Sequence, residues 1–148
     1  MTAIAFHTGI DDPVAYACRL LRKALRQGRR VVVCAEAATL DLLDKALWTF
    51  DPQDFVPHLR LRPGQRAGAV LERTPIWLVE PGAETEAPGH EQAVWVRLGP
   101  LPALQEPAAE RVVEIIGLDD DERRQARQRW RAYETAGFEV QHLAPTAR

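Results

Sequence analysis

Arg123, Arg127 and Arg131 recur at intervals of four in the stretch DDDERRQARQRWRAYETAGF (119–138). On a helix turning about 100° per residue, those three side chains fall within an arc of about 80°. Trp130 flanks the stripe, between it and the side that carries Ala126, Tyr133 and Ala136. Guanidinium forks match carboxylates, and an indole beside them offers apolar contact to a hydrophobic side chain. Such a face suits a short acidic peptide with an aromatic end, or a nucleic-acid backbone. A solvated helix face laced with Glu–Arg pairs has the same composition, so the residue pattern leaves both open.

A second cluster of chemically notable residues is aromatic. The helix-like run LDLLDKALW ends in Trp48, Phe50 follows, and after the turn DPQD come Phe55, Val56, Pro57 and His58. Loops normally lie in water, so this is much apolar surface for a connection. Either these residues fold back as a satellite of the core, or they form an interaction surface. The cluster favours the second, because aromatics are enriched at the desolvated centres of protein interfaces. A proline in an extended apolar segment also lowers the entropy cost of presenting it.

Catalytic chemistry has little to stand on. His7, His58, His90 and His142 are scattered, with no HxxxH or HExxH spacing, and no metal site is expected. There is no serine in the chain. Cys18 falls on a predicted helix and Cys34 within VVVCAEA; neither belongs to a CxxC pair, and both read as buried thiols of a reducing compartment. Asp119, Asp120 and Asp121 open a helix, where negative charge favours the macrodipole. The segment FHTGIDD after the first strand has neither GxGxxG nor GxxxxGK[ST]. Asp11 and Asp12 fill the helix start that would otherwise take a phosphate. No cofactor is expected.

The elements that must position these residues follow from periodicity. AIAFH (3–7) suits a strand, and Asp11 or Asp12 with Pro13 starts a helix. Val14, Ala17, Leu20, Leu21, Ala24 and Leu25 form its apolar stripe, and Gly28 stops it. RRVVVCA (29–35) reads as a strand buried on both faces, and a second helix spans about 38–49. PIWLVE (75–80), AVWVRL (93–98), VVEIIGL (112–118) and FEVQHL (138–143) are further strand candidates, with a long charged helix over 119–136. RPGQRAG (62–68) and EPGAETEAPGH (80–90) read as loops. Strand, helix, strand, helix predicts an α/β fold: a mostly parallel central sheet flanked by helices, Rossmann-like but without a nucleotide site.

The 148 residues fit one domain, 1–148, with 46% hydrophobic and 27% charged residues. The net charge of −2 excludes a strongly basic overall field, so any nucleic-acid contact would need a local patch. No apolar run approaches the roughly 20 residues of a membrane span, and MTAIAFHTG lacks a basic region followed by an apolar core. A cytoplasmic protein without membrane contact is expected.

LDLLDKALW…FVPH (Leu40 to His58) and RxRWRAYETAGF (Arg127 to Phe138) together resemble the chi subunit of bacterial DNA polymerase III holoenzyme, a clamp-loader accessory protein. The likeness covers most of the chain and is sharp in those two motifs. It implies an accessory subunit of the replisome without activity of its own, within a DNA-directed DNA polymerase complex. One face would bind the psi subunit through Trp48, Phe55, Val56, Pro57 and His58. A second would bind the acidic, phenylalanine-ended C-terminal tail of single-stranded-DNA-binding protein through Arg123, Arg127, Trp130 and Arg131, with Ile116 and Gly137 nearby. The psi face is also linked in that family to a repair helicase. Contact with DNA would be mainly indirect. Trp130 stands where the family often has Tyr, and Arg123 and Arg131 where it often has Lys. The alternative is a small α/β enzyme acting on a nucleotide or phosphate, marked by a cleft of convergent polar groups at the C-terminal strand ends.

Overall fold

The computed structural model describes residues 2–53, 55–62, 73–105, 107 and 109–145. Seven strands form one sheet: β1 (Ala3–His7), β2 (Val31–Cys34), β3 (Leu59–Leu61), β4 (Ile76–Val79), β5 (Val94–Leu98), β6 (Arg111–Ile115) and β7 (Val140–Leu143). Their order is β3-β4-β2-β5-β6-β1-β7, and every pairing is parallel. Among the described residues three α-helices accompany them, α1 (Pro13–Arg26), α2 (Ala37–Thr49) and α3 (Asp120–Thr135). No helix among the described residues is long and apolar enough to cross a membrane.

Local chemistry sets the helix ends. Asp12 caps α1, its carboxylate accepting from the Ala15 N–H at 3.1 Å, and Pro13 takes the first position, where an N–H would find no partner. After α1, Gly28 sits at φ +70°, a conformation that other residues adopt at a cost. β2 is buried at all four positions, as a central parallel strand covered on both faces must be.

Side chains alternate to two faces. On one, Val31, Val33, Ile76, Leu78, Val96, Leu98, Val113 and Ile115 pack against Ala17, Cys18 and Leu21 of α1 and Leu40, Leu43 and Leu47 of α2. On the other, Ile4, Phe6, Val32, Cys34, Trp77, Trp95 and Val112 meet Ala126 and Tyr133 of α3. Ala83, Ala87, Ala93 and Leu101 share this second core. The stretch 80–90 is thus more than the loop its composition suggests. It includes a 3₁₀ turn at Glu84–Glu86, leads into another at His90–Gln92, and covers the sheet where no helix does. The Trp95 indole donates to the His90 carbonyl at 3.0 Å and ties that cover down. β3, three residues directly after Phe55-Val56-Pro57-His58, has no counterpart in the periodicity, being too short to show one. Of the expected loop 62–68, all but residue 62 lies outside the described residues.

Candidate functional site

α3 begins with its own negative charge in place. Asp119 accepts from the Glu122 N–H at 3.0 Å, and Glu122 reaches back to accept from the Gly117 N–H at 2.8 Å. Its inward face is Ala126, Arg129 and Tyr133, with Trp130 half-buried. Arg129 is the surprise, because an arginine midway between the exposed Arg127 and Arg131, two residues from each, gives no local sign of pointing inward.

Its partner is a carboxylate in the middle of the sheet. Glu114 on β6 is 1% exposed, as the register partner of Arg97 on β5, itself 2% exposed. Arg97 donates to Glu114, to the Tyr133 hydroxyl at 2.8 Å and to the Pro102 carbonyl. Tyr133 donates to Glu114 at 2.7 Å, and Arg129 forms an ion pair with Glu114 at 3.3 Å while donating to the Leu101 carbonyl at 3.0 Å. Burial works against the Arg97 charge, but the adjacent Glu114 carboxylate, Tyr133 and Cys34 together outweigh it and raise the pKa. Burial and the same carboxylate push the Tyr133 hydroxyl up, keeping it a neutral donor. One carboxylate and two guanidiniums therefore bolt α3 to β5 and β6, since buried charges persist only when paired and hydrogen-bonded. Next along the rung, Cys34 pairs in register with Arg97, and burial, then Glu84, pushes its thiol up to about 12. Such a thiol is protonated and inert as a nucleophile.

The same rung continues outward from Glu114 to Phe6 and His142. Trp130 sits on Phe6, with ring centroids 5.1 Å apart, and meets His142 edge-on at 6.3 Å. Between α3 and the ends of β1, β6 and β7 lies a groove of about 670 Å³. Phe6, Ile116, Ala126 and Trp130 give it apolar walls, and Arg123, Arg127 and Arg131 line it from the helix. Thr8, Gly9 and His142 form the far side, where the Thr8 hydroxyl and the His142 ring are 2.6 Å apart. The sequence-derived residues Arg123, Arg127, Trp130, Arg131 and Ile116 thus come together, Ile116 buried and the three arginines exposed. Gly137 does not line the groove. At φ +91° it closes α3: the Gly137 N–H bonds to the Glu134 carbonyl and the Phe138 N–H to the Tyr133 carbonyl. That Schellman turn directs the chain into β7 and so brings His142 opposite the arginines.

The aromatic segment makes a second surface. Trp48 is 60% and Phe55 52% exposed, with ring centroids 5.1 Å apart. Val56 and His58, expected in the same surface, are instead buried beneath it. Val56 belongs to the core under α1 and α2, because the chain is already extended toward β3 and alternates outward and inward. The His58 ring lies edge-on under Trp48 at 5.4 Å, between the Val56 carbonyl and the Asp44 carboxylate, each 2.7 Å from a ring nitrogen. Pro57 is half-buried. Phe50 turns away and lies under the Arg22 guanidinium, 4.7 Å from its ring centre, and Arg22 pairs with Asp51 at 3.2 Å.

Sequence reasoning missed Arg97, Glu114 and Arg129. The signal was there for two of them: VWVRL and VVEII each carry one charge inside an apolar strand. Two such charges of opposite sign in strands that must be buried have to find each other or a ligand.

A family model described as DNA polymerase III chi subunit, HolC, matches residues 1–141. DNA polymerase III subunit chi of Pseudomonas aeruginosa (strain PAO1) is 32% identical over 151 residues, covering 98% of this chain and 99% of the relative. The protein of the same name from Escherichia coli K12 is 28% identical over 133 residues, 89% of this chain and 85% of the relative. Among solved structures, the C-terminal part of the Fun30 ATPase domain superposes with a TM-score of 0.56 at 14% identity. That match spans 78% of this chain and 44% of the other, and at such identity it is a likeness of fold alone. With one family matched across nearly its whole length and two relatives of the same name, the chain belongs to the DNA polymerase III chi subunit family.

Proposed function

We propose that this chain is a non-catalytic accessory subunit of DNA polymerase III that joins the clamp loader, through psi, to single-stranded-DNA-binding protein. The groove beside α3 carries the proposal. Its apolar walls accept one aromatic side chain, while three guanidiniums on one helix face meet the carboxylates of an acidic tail. The groove lies at the C-terminal ends of the strands, where an α/β enzyme would hold its substrate. Its walls of Phe6, Ile116, Ala126 and Trp130 favour an aromatic ring over a phosphate. Trp48 and Phe55, exposed and stacked on the α2 side, supply the apolar anchor for psi.

Fluorescence anisotropy with a labelled acidic peptide ending in phenylalanine tests the groove. A charged hydrogen bond contributes roughly 1.5–3 kcal/mol, so Arg127→Ala weakens binding by about ten- to a hundredfold. Asp119→Asn, which keeps a good helix cap, leaves it unchanged. Wild-type affinity in Arg127→Ala would reduce the arginine stripe to a solvated helix face.

A further inference from the structure

The opposite face of the sheet carries an uncovered trough. Parallel sheets are ordinarily covered on both faces, yet the core under α1 and α2 draws on β2, β4, β5 and β6 and takes nothing from β1 or β7. Beside α1 this leaves a depression of about 620 Å³. Ala3 and Ala5 of β1, with Gln141 and Leu143 of β7, form its floor. The small alanines allow close approach to the sheet. His7 sits at one end, its ring nitrogen 2.6 Å from the Tyr16 hydroxyl, and burial, then the nearby Arg111 charge, lowers its pKa.

Positive charge gathers around this trough. Lys23 on α1, Arg29 in the turn after it and Arg111 at the start of β6 line it, with the amide of Gln27 between. Along the outside of α1, Arg19, Arg22, Lys23 and Arg26 stand at i, i+3, i+4 and i+7, within an arc of about 100° and a rise of about 10 Å. Asp51 pairs with Arg22 at 3.2 Å, and Glu110, which also lines the trough, pairs with Arg29 at 3.5 Å. Among the described residues Lys23 and Arg111 have no carboxylate within ion-pair distance, and Arg19 lies against the Tyr16 ring. A chain of net charge −2 thus concentrates cations on one face.

We propose that this face of α1 and the adjoining trough bind the phosphate backbone of a single-stranded nucleic acid, at a site separate from the α3 groove. The charge is complementary to a polyanion and strung out along a line, as successive phosphates are. Amide side chains on floor and rim offer donors to phosphate oxygens. A duplex is too wide to enter the trough. A membrane surface fits less well, because α1 exposes no large apolar residue.

The test uses the full chain and a fluorescein-labelled 15-nucleotide oligo(dT), followed by anisotropy between about 50 and 200 mM salt. About four phosphate contacts give a log–log salt slope of about −3, a loss of roughly fiftyfold across that range. Lys23→Gln with Arg111→Gln removes two contacts and about halves the slope, while binding of the acidic peptide in the α3 groove stays at its wild-type value. Arg127→Ala leaves the oligonucleotide slope unchanged, and a duplex of matched length binds more weakly than the single strand. Absence of binding at 50 mM salt, or an unaltered slope in the Lys23/Arg111 variant with an unshifted thermal melt, would overturn the proposal. So would loss of oligonucleotide binding in Arg127→Ala, which assigns the strand to α3. Tighter binding to phosphatidylglycerol vesicles, or to the acidic peptide, through Lys23 and Arg111 would likewise replace nucleic acid as the occupant.

Discussion

Trp48 and Phe55 stand on the α2 side of the sheet; the α3 groove lies on the other, and the two surfaces are held by different physics. The groove's cations project from a helix whose inner face is fixed by Arg129 and Tyr133 onto Glu114 and Arg97. The aromatic patch has no such bolt. Its two rings end a helix and begin an extended segment, and they rest on a histidine that is itself pinned to Val56 and Asp44. An acidic ligand is recognised by charges that must stay in register, and a buried ionic network provides that register. An apolar partner is recognised by area, which tolerates small displacements. On the proposed reading, charge recognition on this fold is founded on buried charge, and apolar recognition on exposed rings over a packed support.

The sharpest way to break that contrast is Glu114→Gln. The side chain keeps its shape, but Arg97 and Arg129 are left buried without a counter-charge. Removing one partner of a buried pair costs about 3–5 kcal/mol, so the urea midpoint falls steeply. Because the carboxylate also accepts from Tyr133, peptide binding in the α3 groove drops in the folded fraction as well. A loss below about 1 kcal/mol would mean that water already reaches the network, and the groove would then owe its shape to Phe6 and Trp130 alone.

On the other side, Trp48→Ala and Val56→Ala separate what is presented from what supports it. Trp48 is mostly in solvent, so its removal barely moves the melting temperature, yet it weakens binding to psi by about 2–4 kcal/mol. Val56 is fully buried, and deleting its two methyl groups costs about 2 kcal/mol of stability with a smaller effect on binding. Titration of purified psi against each variant, alongside urea melts, measures both quantities. If Trp48→Ala proves the more destabilising and binds psi normally, the patch is a satellite of the core.

How legible these surfaces were in the sequence depends on the range of the signal. Strand, helix, strand, helix came from local periodicity, and Asp12, Asp119 and Gly28 marked their ends by side-chain chemistry confined to a few residues. The arginine stripe was legible because i, i+4, i+8 is a property of the helix itself. Arg129 was not, since its inward turn depends on a carboxylate fifteen positions earlier, on a strand across the core. Val56 and His58 were assigned to the surface because they share a short motif with Phe55, but extended backbone sends neighbours to opposite sides. β3 begins within that segment, and three residues cannot display a period. The cover supplied by 80–90 was hidden by a loop-like composition whose alanines, Ala83 and Ala87, pack singly under the turns.

The smallest expected effect concerns whether the two surfaces speak to each other. A chain that joins two partners, as proposed, is either a passive linker or lets one partner tune the other. Passing a signal would require an element with two arrangements that both partners bias. Here the intervening sheet is close-packed, with Val31, Val33, Leu78, Val79 and Val96 all essentially inaccessible, and α3 is bolted at its centre by paired charges. Among the described residues, Trp48 and Arg127 share no side-chain partner. Mutations at separated sites without shared partners add to within about 0.3–0.5 kcal/mol. A double-mutant cycle of Trp48→Ala and Arg127→Ala, read by acidic-peptide affinity with saturating psi and without it, should therefore close with a coupling no larger than that. A coupling of about 1.5 kcal/mol or more, roughly tenfold in affinity, would show that psi binding reshapes the α3 groove. The contrast between a fixed charged groove and an adaptable aromatic patch would then give way to one cooperative surface.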